Sequence, residues 1–226
     1  ALLMDAIMVY DATDPDMKPG PPPQLAAALA SQIPRPPRFA FVRSPAWPNA
    51  DADAARAFEV FASRFGAMAE VVETPLPEAF DGSLRLQQII QFSDIAKNYG
   101  PIADANPSVI SAKLKDVIAE GRRFSAADYA AARAERDPLY ESLAPVLTNY
   151  DAILTPAAPG VAPEGLAATG SPMFNALWTY LGMPCISLPL IERHGMPLGV
   201  QLVGARNRDG DLLRTAQWTI HRTPNL

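Results

Sequence analysis

Few side chains in this 226-residue sequence are of a kind that could break or make a covalent bond. Cys185, with His194 nine residues further on, has the ingredients of a thiol nucleophile and its base. Such a pair works only where the two side chains touch and the thiol meets substrate. Cys185 sits in the apolar run Met183-Pro-Cys-Ile-Ser-Leu-Pro189, which reads as a buried, inert thiol in a strand. His194, in a polar Glu-Arg-His-Gly turn, and His221, near the C-terminus, read as solvent-facing. Neither has a Cys or an acidic cluster beside it at metal-ligand spacing. The carboxylates Asp14/Asp16, Asp51/Asp53 and Asp209/Asp211 are pairs two residues apart where loop passes into helix. Capping and the helix dipole explain them better than acid–base work. None of the four lysines (Lys18, Lys97, Lys113, Lys115) stands three residues after a serine, so no Ser-x-x-Lys pair exists. Gly82-Ser83 and Gly170-Ser171 are isolated pairs, with no Gly/Ser-rich loop around them. Gln201, alone among apolar neighbours, reaches a cleft or satisfies backbone at a sheet edge. No catalytic residue, metal site or cofactor is assigned.

The elements that would position these residues follow from periodicity. Residues 152–155, 185–188 and 199–203 are short apolar runs bounded by Pro, Gly or Asp, the length and punctuation of buried strands. Between the first two, residues 172–181 place Met173, Leu177, Trp178 and Leu181 on one face of a short helix, with Ser171 as N-cap. Residues 38–42 alternate like a strand. A helix from Asp51 or Asp53 to Phe65 puts Ala54, Phe58, Phe61 and Phe65 on one side, Gly66 stops it, and residues 69–72 form the next strand. That strand–helix–strand unit favours a parallel pair with a right-handed crossover. Further helices are expected over residues 2–10, 24–32, 78–99 (ended by Gly100-Pro101), 108–120, 126–147 (opened by a Ser125/Asp128 capping box and interrupted near Pro138) and from Asp209 or Asp211 through Ile220. Residues 11–23 read as a Pro-rich loop. The fold class is α/β, a mixed β-sheet flanked by helices on both faces, as one domain over residues 1–226. Thr169, Gly170, Phe174, Trp178 and Thr179 lie on the loop and helix after a strand's C-terminal end, where open α/β sheets bind ligands. Phe174 and Trp178, four apart on a helix, are equally readable as interior.

Bulk properties narrow the function classes. A net charge of −5 argues against nucleic-acid binding. One cysteine can form no internal disulfide, which fits a reducing cytoplasm. Residues 165–191 carry no charge, long enough to span a bilayer. Gly182, Pro172, Pro184 and Pro189, with Asn175 and Thr179, break the run, so a buried helix–strand pair is expected and no membrane association. Hydrophobic residues make up 49% of the chain, enough for a sizeable core. An opening on Ala and an apolar helix face suggests an excised piece.

Four blocks carry a resemblance: Tyr150-Asp-Ala-Ile-Leu-Thr-Pro156; Pro172-x-Phe-Asn-x-x-Trp-Thr-x-x-Gly-x-Pro184-x-x-x-x-Pro189; Gly195-x-Pro-x-Gly-Val-Gln-Leu-Val-Gly-Ala-Arg206; and Asp211-Leu-Leu-x-x-Ala216. Their order and spacing resemble the C-terminal half of amidase-signature hydrolases, and residues 2–16 look like that family's helix and loop just after its catalytic region. The resemblance implies hydrolysis of amide bonds by a Ser nucleophile, a second Ser and a Lys, all upstream of this stretch. It also implies that the helix bearing Phe174, Trp178 and Thr179 is one wall of the substrate cleft. The expected partners are a small amide substrate and the N-terminal half of the same enzyme, and the chain alone is expected to be inactive. The alternatives are a non-catalytic binding module and an amidotransferase-type subunit. Half of a shared core would leave an apolar face exposed, so self-association is expected.

Overall fold

The computed structural model describes residues 1–14, 17 and 19–223; Asp16 and Lys18 lie outside the described residues. Among the described residues, five strands form one mixed sheet: β1 (Arg38–Phe41), β2 (Glu70–Glu73), β3 (Ala152–Pro156), β4 (Cys185–Arg193) and β5 (Met196–Val203), in the order β2-β1-β3-β5-β4. β1 is parallel to β2 and β3, whereas β5 runs antiparallel to β3 and β4. The parallel β1–β2 pair is joined through α3 (Ala52–Phe65), matching the strand–helix–strand unit read from the sequence. The three late apolar runs share one sheet, with β4 extending five residues past its expected end because the tight turn at His194-Gly195 lets it pair with β5 up to Arg193. Both turn residues have positive φ, 54° and 73°, the geometry a two-residue hairpin demands.

Each sheet face has its own core. On one, Phe39 and Phe41 meet Phe58, Phe61 and Phe65 of α3, ring centroids 5.1 Å apart for Phe39–Phe65 and 5.5 Å for Phe41–Phe58. The 4-3-4 spacing of Ala54, Phe58, Phe61 and Phe65 presents one stripe to the sheet, and all four are buried. α10 (Asp209–Arg222) adds Leu212 and Ala216 to that face. Each buried Phe contributes on the order of 2–3 kcal/mol by leaving water. The opposite face is covered by α7 (Arg136–Ser142), α8 (Ala144–Asn149) and α9 (Met173–Leu181), with Ile153 and Val203 meeting Leu177, Trp178 and Leu181.

Several boundaries move for physical reasons. The helix expected over residues 78–99 begins at Ser83 and runs through Pro101 to Ala105 as α4. The helix expected over residues 108–120 starts only at Ala112, because Ser111 caps it by accepting the Leu114 N–H at 3.2 Å; this is α5 (Ala112–Gly121). The long helix expected over residues 126–147 is three: α6 (Ala126–Ala134), α7 and α8. The breaks fall at Glu135 and Leu143 while Pro138 sits in the first turn of α7, where a missing N–H costs nothing. The Ser125/Asp128 capping box is formed. α1 (Leu2–Ile7) is short, and its Asp5 carboxylate caps α2 (Leu25–Leu29), accepting the N–H groups of Leu25 and Ala26 at 2.7 and 2.8 Å. No helix among the described residues is long and apolar enough to cross a membrane.

Candidate functional site

The polar groups that the fold collects lie on the α9 face of the sheet. Residues directly opposite in a β-ladder point to the same side, and Thr155, Gln201 and Ser187 are opposite one another across β3, β5 and β4. Thr155 and Gln201 are 0% and 2% exposed. Gly199 is obligatory beside them: a Cβ there would come within 2.3 Å of Ser187 Oγ and 2.8 Å of Ala157 Cβ. Gln201 Nε2 donates to Asn175 Oδ1 at 2.5 Å, and Asn175 Nδ2 donates to the Ala157 carbonyl at 3.3 Å. This ties the first turn of α9 to β5 and to the residue that follows β3. Gln201 thus reaches the helix rather than a sheet edge. Its Oε1, and Thr155 Oγ1, are buried without a hydrogen-bond partner among the described residues.

Asn175 also faces outward, into a groove of about 440 Å³ between α4 and α9. Leu84, Phe92, Pro172, Met173 and Ala176 make its walls apolar, with Gln87, Gln88 and Gln91 along one side. Among the described residues, the one charged lining residue is Arg85, whose guanidinium donates to Gln88 Oε1 and Glu120 Oε1 and lies 4.8 Å from the Phe124 ring centre. The groove therefore presents no unpaired charge. Helical geometry decides which predicted residues reach it. Thr179 lines it, on the same side of α9 as Asn175 and Ala176. Phe174 and Trp178 point the other way, into the core at 1% and 0% exposure, so the interior reading holds for their side chains. Thr169 and Gly170 are exposed on the preceding loop, outside the groove lining, and Gly170 takes φ +85°. Ser171 is not the N-cap: Pro172 holds that position, and Ser171 Oγ accepts the Met173 N–H at 3.4 Å. Gly182, at φ +66°, ends the helix. Asn175 was not among the candidate residues, although it is the Asn of the block Pro172-x-Phe-Asn that carries the resemblance and a carboxamide in an otherwise apolar turn.

Elsewhere the reactive side chains are held apart from one another. Cys185 is exposed, against the buried thiol expected, because β4 is an edge strand. Its sulfur nonetheless lies 3.7 Å from the Met183 carbonyl, and desolvation pushes the thiol up to about 12. His194, the only base the sequence offered it, instead meets Asp53 Oδ2 at 3.0 Å, and that hydrogen bond holds the Asp53 carboxyl below the ordinary range. Asp51 stands at the N-cap of α3 without a capping bond; its carboxylate lies against Gly160, where a Cβ would be 1.8 Å from Oδ2.

Comparison with known proteins bears on this arrangement. A plant fatty acid amide hydrolase from Medicago truncatula is 28% identical over 162 residues, covering 65% of this chain and 26% of the relative. One subunit of the glutamyl-tRNA(Gln) amidotransferase of Thermotoga maritima is 35% identical over 88 residues, covering 36% of this chain and 18% of the relative. In three dimensions, 99% of the chain superposes on 6-aminohexanoate cyclic dimer hydrolase with a TM-score of 0.74 at 20% identity, a likeness of fold. The chain spans about half of that hydrolase, 52% of its length. The strands, the groove and the Asn175–Gln201 link all fall inside residues 1–213, the region that matches the amidase family, and to that family the chain belongs.

Proposed function

We propose that this chain is the C-terminal part of an enzyme that hydrolyses carbon–nitrogen bonds of amides, and that the α4–α9 groove is one wall of its substrate cleft. The observation carrying this reading is the groove itself: apolar walls, an Arg85 paired with Glu120, and a carboxamide, Asn175, anchored to the sheet. Such a lining suits a neutral amide with an apolar acyl or amine portion. Thr179 borders the substrate, Thr169 and Gly170 form the loop at its mouth, and Phe174 and Trp178 support the wall from within. The reacting groups come from the N-terminal half of the same enzyme. A serine there attacks the amide carbonyl, the amine departs with a proton relayed from a lysine, and water releases the acyl group, while backbone N–H groups hold the oxyanion. A cytoplasmic setting belongs to the same proposal.

The test uses the complete protein that carries this chain. A fluorophosphonate probe is expected to label a serine outside residues 1–226 and to abolish amide turnover, with residues 1–226 alone turning over nothing. Amide hydrolysis by residues 1–226 unaided would overturn the proposal. The amidotransferase-type reading rests on the 35% identity to the Thermotoga maritima amidotransferase; hydrolysis of a free amide with no partner chain present would decide against it. Absence of turnover in the complete protein would favour the non-catalytic binding module.

A further inference from the structure

The orientation of two side-chain amides is dictated by one main-chain carbonyl. Ala157 O can only accept, so Asn175 must turn its Nδ2 toward it, at 3.3 Å. Asn175 Oδ1 then faces Gln201, which must answer with Nε2, at 2.5 Å. The chain of donors is fixed from β3 outward, and it fixes what Asn175 shows the groove. Of its two N–H bonds one is committed to Ala157, and of its two acceptor sites one is committed to Gln201. One N–H and one lone pair are left for a ligand. Those are the complements of the C=O and N–H of a carboxamide.

From this geometry we infer that Asn175 is a specificity-determining residue that hydrogen-bonds the carboxamide of a neutral ligand whose apolar portion lies along Phe92, Met173 and Ala176. Gln201, buried at 2% exposure on β5, is a positioning residue that acts through Asn175. The inference rests on reading the groove as a ligand site, and it adds the group that selects an amide over an isosteric molecule. The neutrality of the groove excludes selection by charge: Arg85 is engaged by Gln88 and Glu120. Gln87 Nε2 donates to Gln91 Oε1 at 3.0 Å, a link between exposed side chains one helical turn apart that anchors neither amide to the sheet. Asn175 is clamped from β5 and from the residue that follows β3.

The probes are octanamide and N,N-dimethyloctanamide, which share the tail but differ in the amide N–H. Both are titrated against the full chain, and the readout is the ratio of the two affinities, which a general loss of packing would not move. Octanamide is expected to bind roughly tenfold more tightly, the size of one good hydrogen bond. Asn175→Ala should bring the ratio to about one, since octanamide then loses both hydrogen bonds to Asn175 and the dimethyl probe loses only the one its carbonyl accepts, and Gln201→Leu should lower the ratio in the same direction. Gln201→Met, unbranched and of similar length, replaces Gln201→Leu if the latter does not fold. A ratio unchanged in Asn175→Ala overturns the inference. A ratio lost in Asn175→Ala but intact in the folded Gln201 variant overturns the positioning role. Binding of neither probe overturns the groove reading and the inference with it, an outcome distinct from the other two.

Discussion

A thiol on the surface usually reacts, and Cys185 is a thiol on the surface. Its environment works against that. Desolvation disfavours the thiolate and raises the thiol to about 12, against about 8.5 for a free cysteine. An acid whose proton is held this tightly supplies thiolate only as the pH climbs toward that value, so at pH 8 the reactive fraction is on the order of 10⁻⁴. Alkylation by iodoacetamide at pH 8 should run at least about a hundredfold slower in the native chain than in the same chain in denaturant. Equal rates would refute this. The sequence reads Cys185 as a buried thiol, and its exposure corrects that, because an apolar run identifies a strand without saying whether it lies inside a sheet or at its edge. Asn175 was hidden for a related reason. It stands on the border between the core face and the groove face of α9, and periodicity assigns faces, not borders. Gln201 was visible as an oddity in β5, but its partner lay 26 positions away.

Among the elements, those with a strong internal period were legible: α3 through its Phe spacing, β1 and β2 through the crossover, α9 through its apolar stripe. α4 was cut short in expectation because Gly100-Pro101 reads as a stop. Pro101 does forfeit a helix bond, at about 3 kcal/mol. The helix survives it through neighbours far along the chain. Arg122 packs against Gly100, where a Cβ would meet its guanidinium at 2.9 Å, and pairs with Asp104 at 2.6 Å on the far side of the proline. The same helix pair is in tight contact at Gly121 of α5, where a Cβ would stand 2.0 Å from the Phe92 carbonyl oxygen and 2.9 Å from Ala96 Cβ. Backbone cannot swing aside as a side chain can. Gly121→Ala should therefore separate α4 from α5 and cost about 3 kcal/mol, read as a lower urea midpoint. Phe92 lines the groove, so octanamide affinity should fall in the same variant. An unchanged midpoint would show that the two helices are not held at this spacing.

At the scale of the molecule, the chain shows too much surface for its mass. It exposes 13311 Å², whereas a folded monomer of 24.3 kDa is expected to expose roughly 10,000 Å². An excess of about 3,000 Å² exceeds what a standard-size interface buries in total and falls among obligate assemblies. Part of it is apolar and concentrated on α1, where Leu2, Leu3 and Ile7 are 79%, 70% and 61% exposed. That stripe was legible as a helical face from spacing alone. What covers it was not, since residues that contact another polypeptide carry the same pattern as residues that contact their own. In the proposed enzyme the N-terminal half covers this surface. For the isolated chain, a second copy is the available apolar partner, so sedimentation at micromolar concentration is expected to show dimers or larger species. The double substitution Leu3→Glu and Ile7→Glu places charge on the stripe and should shift the population toward monomer while leaving the thermal midpoint of the sheet unchanged, since neither residue contributes to either core. A parent chain that sediments as a clean monomer at the same concentration, and binds no hydrophobic dye, would show that the excess surface is tolerated in water and needs no cover.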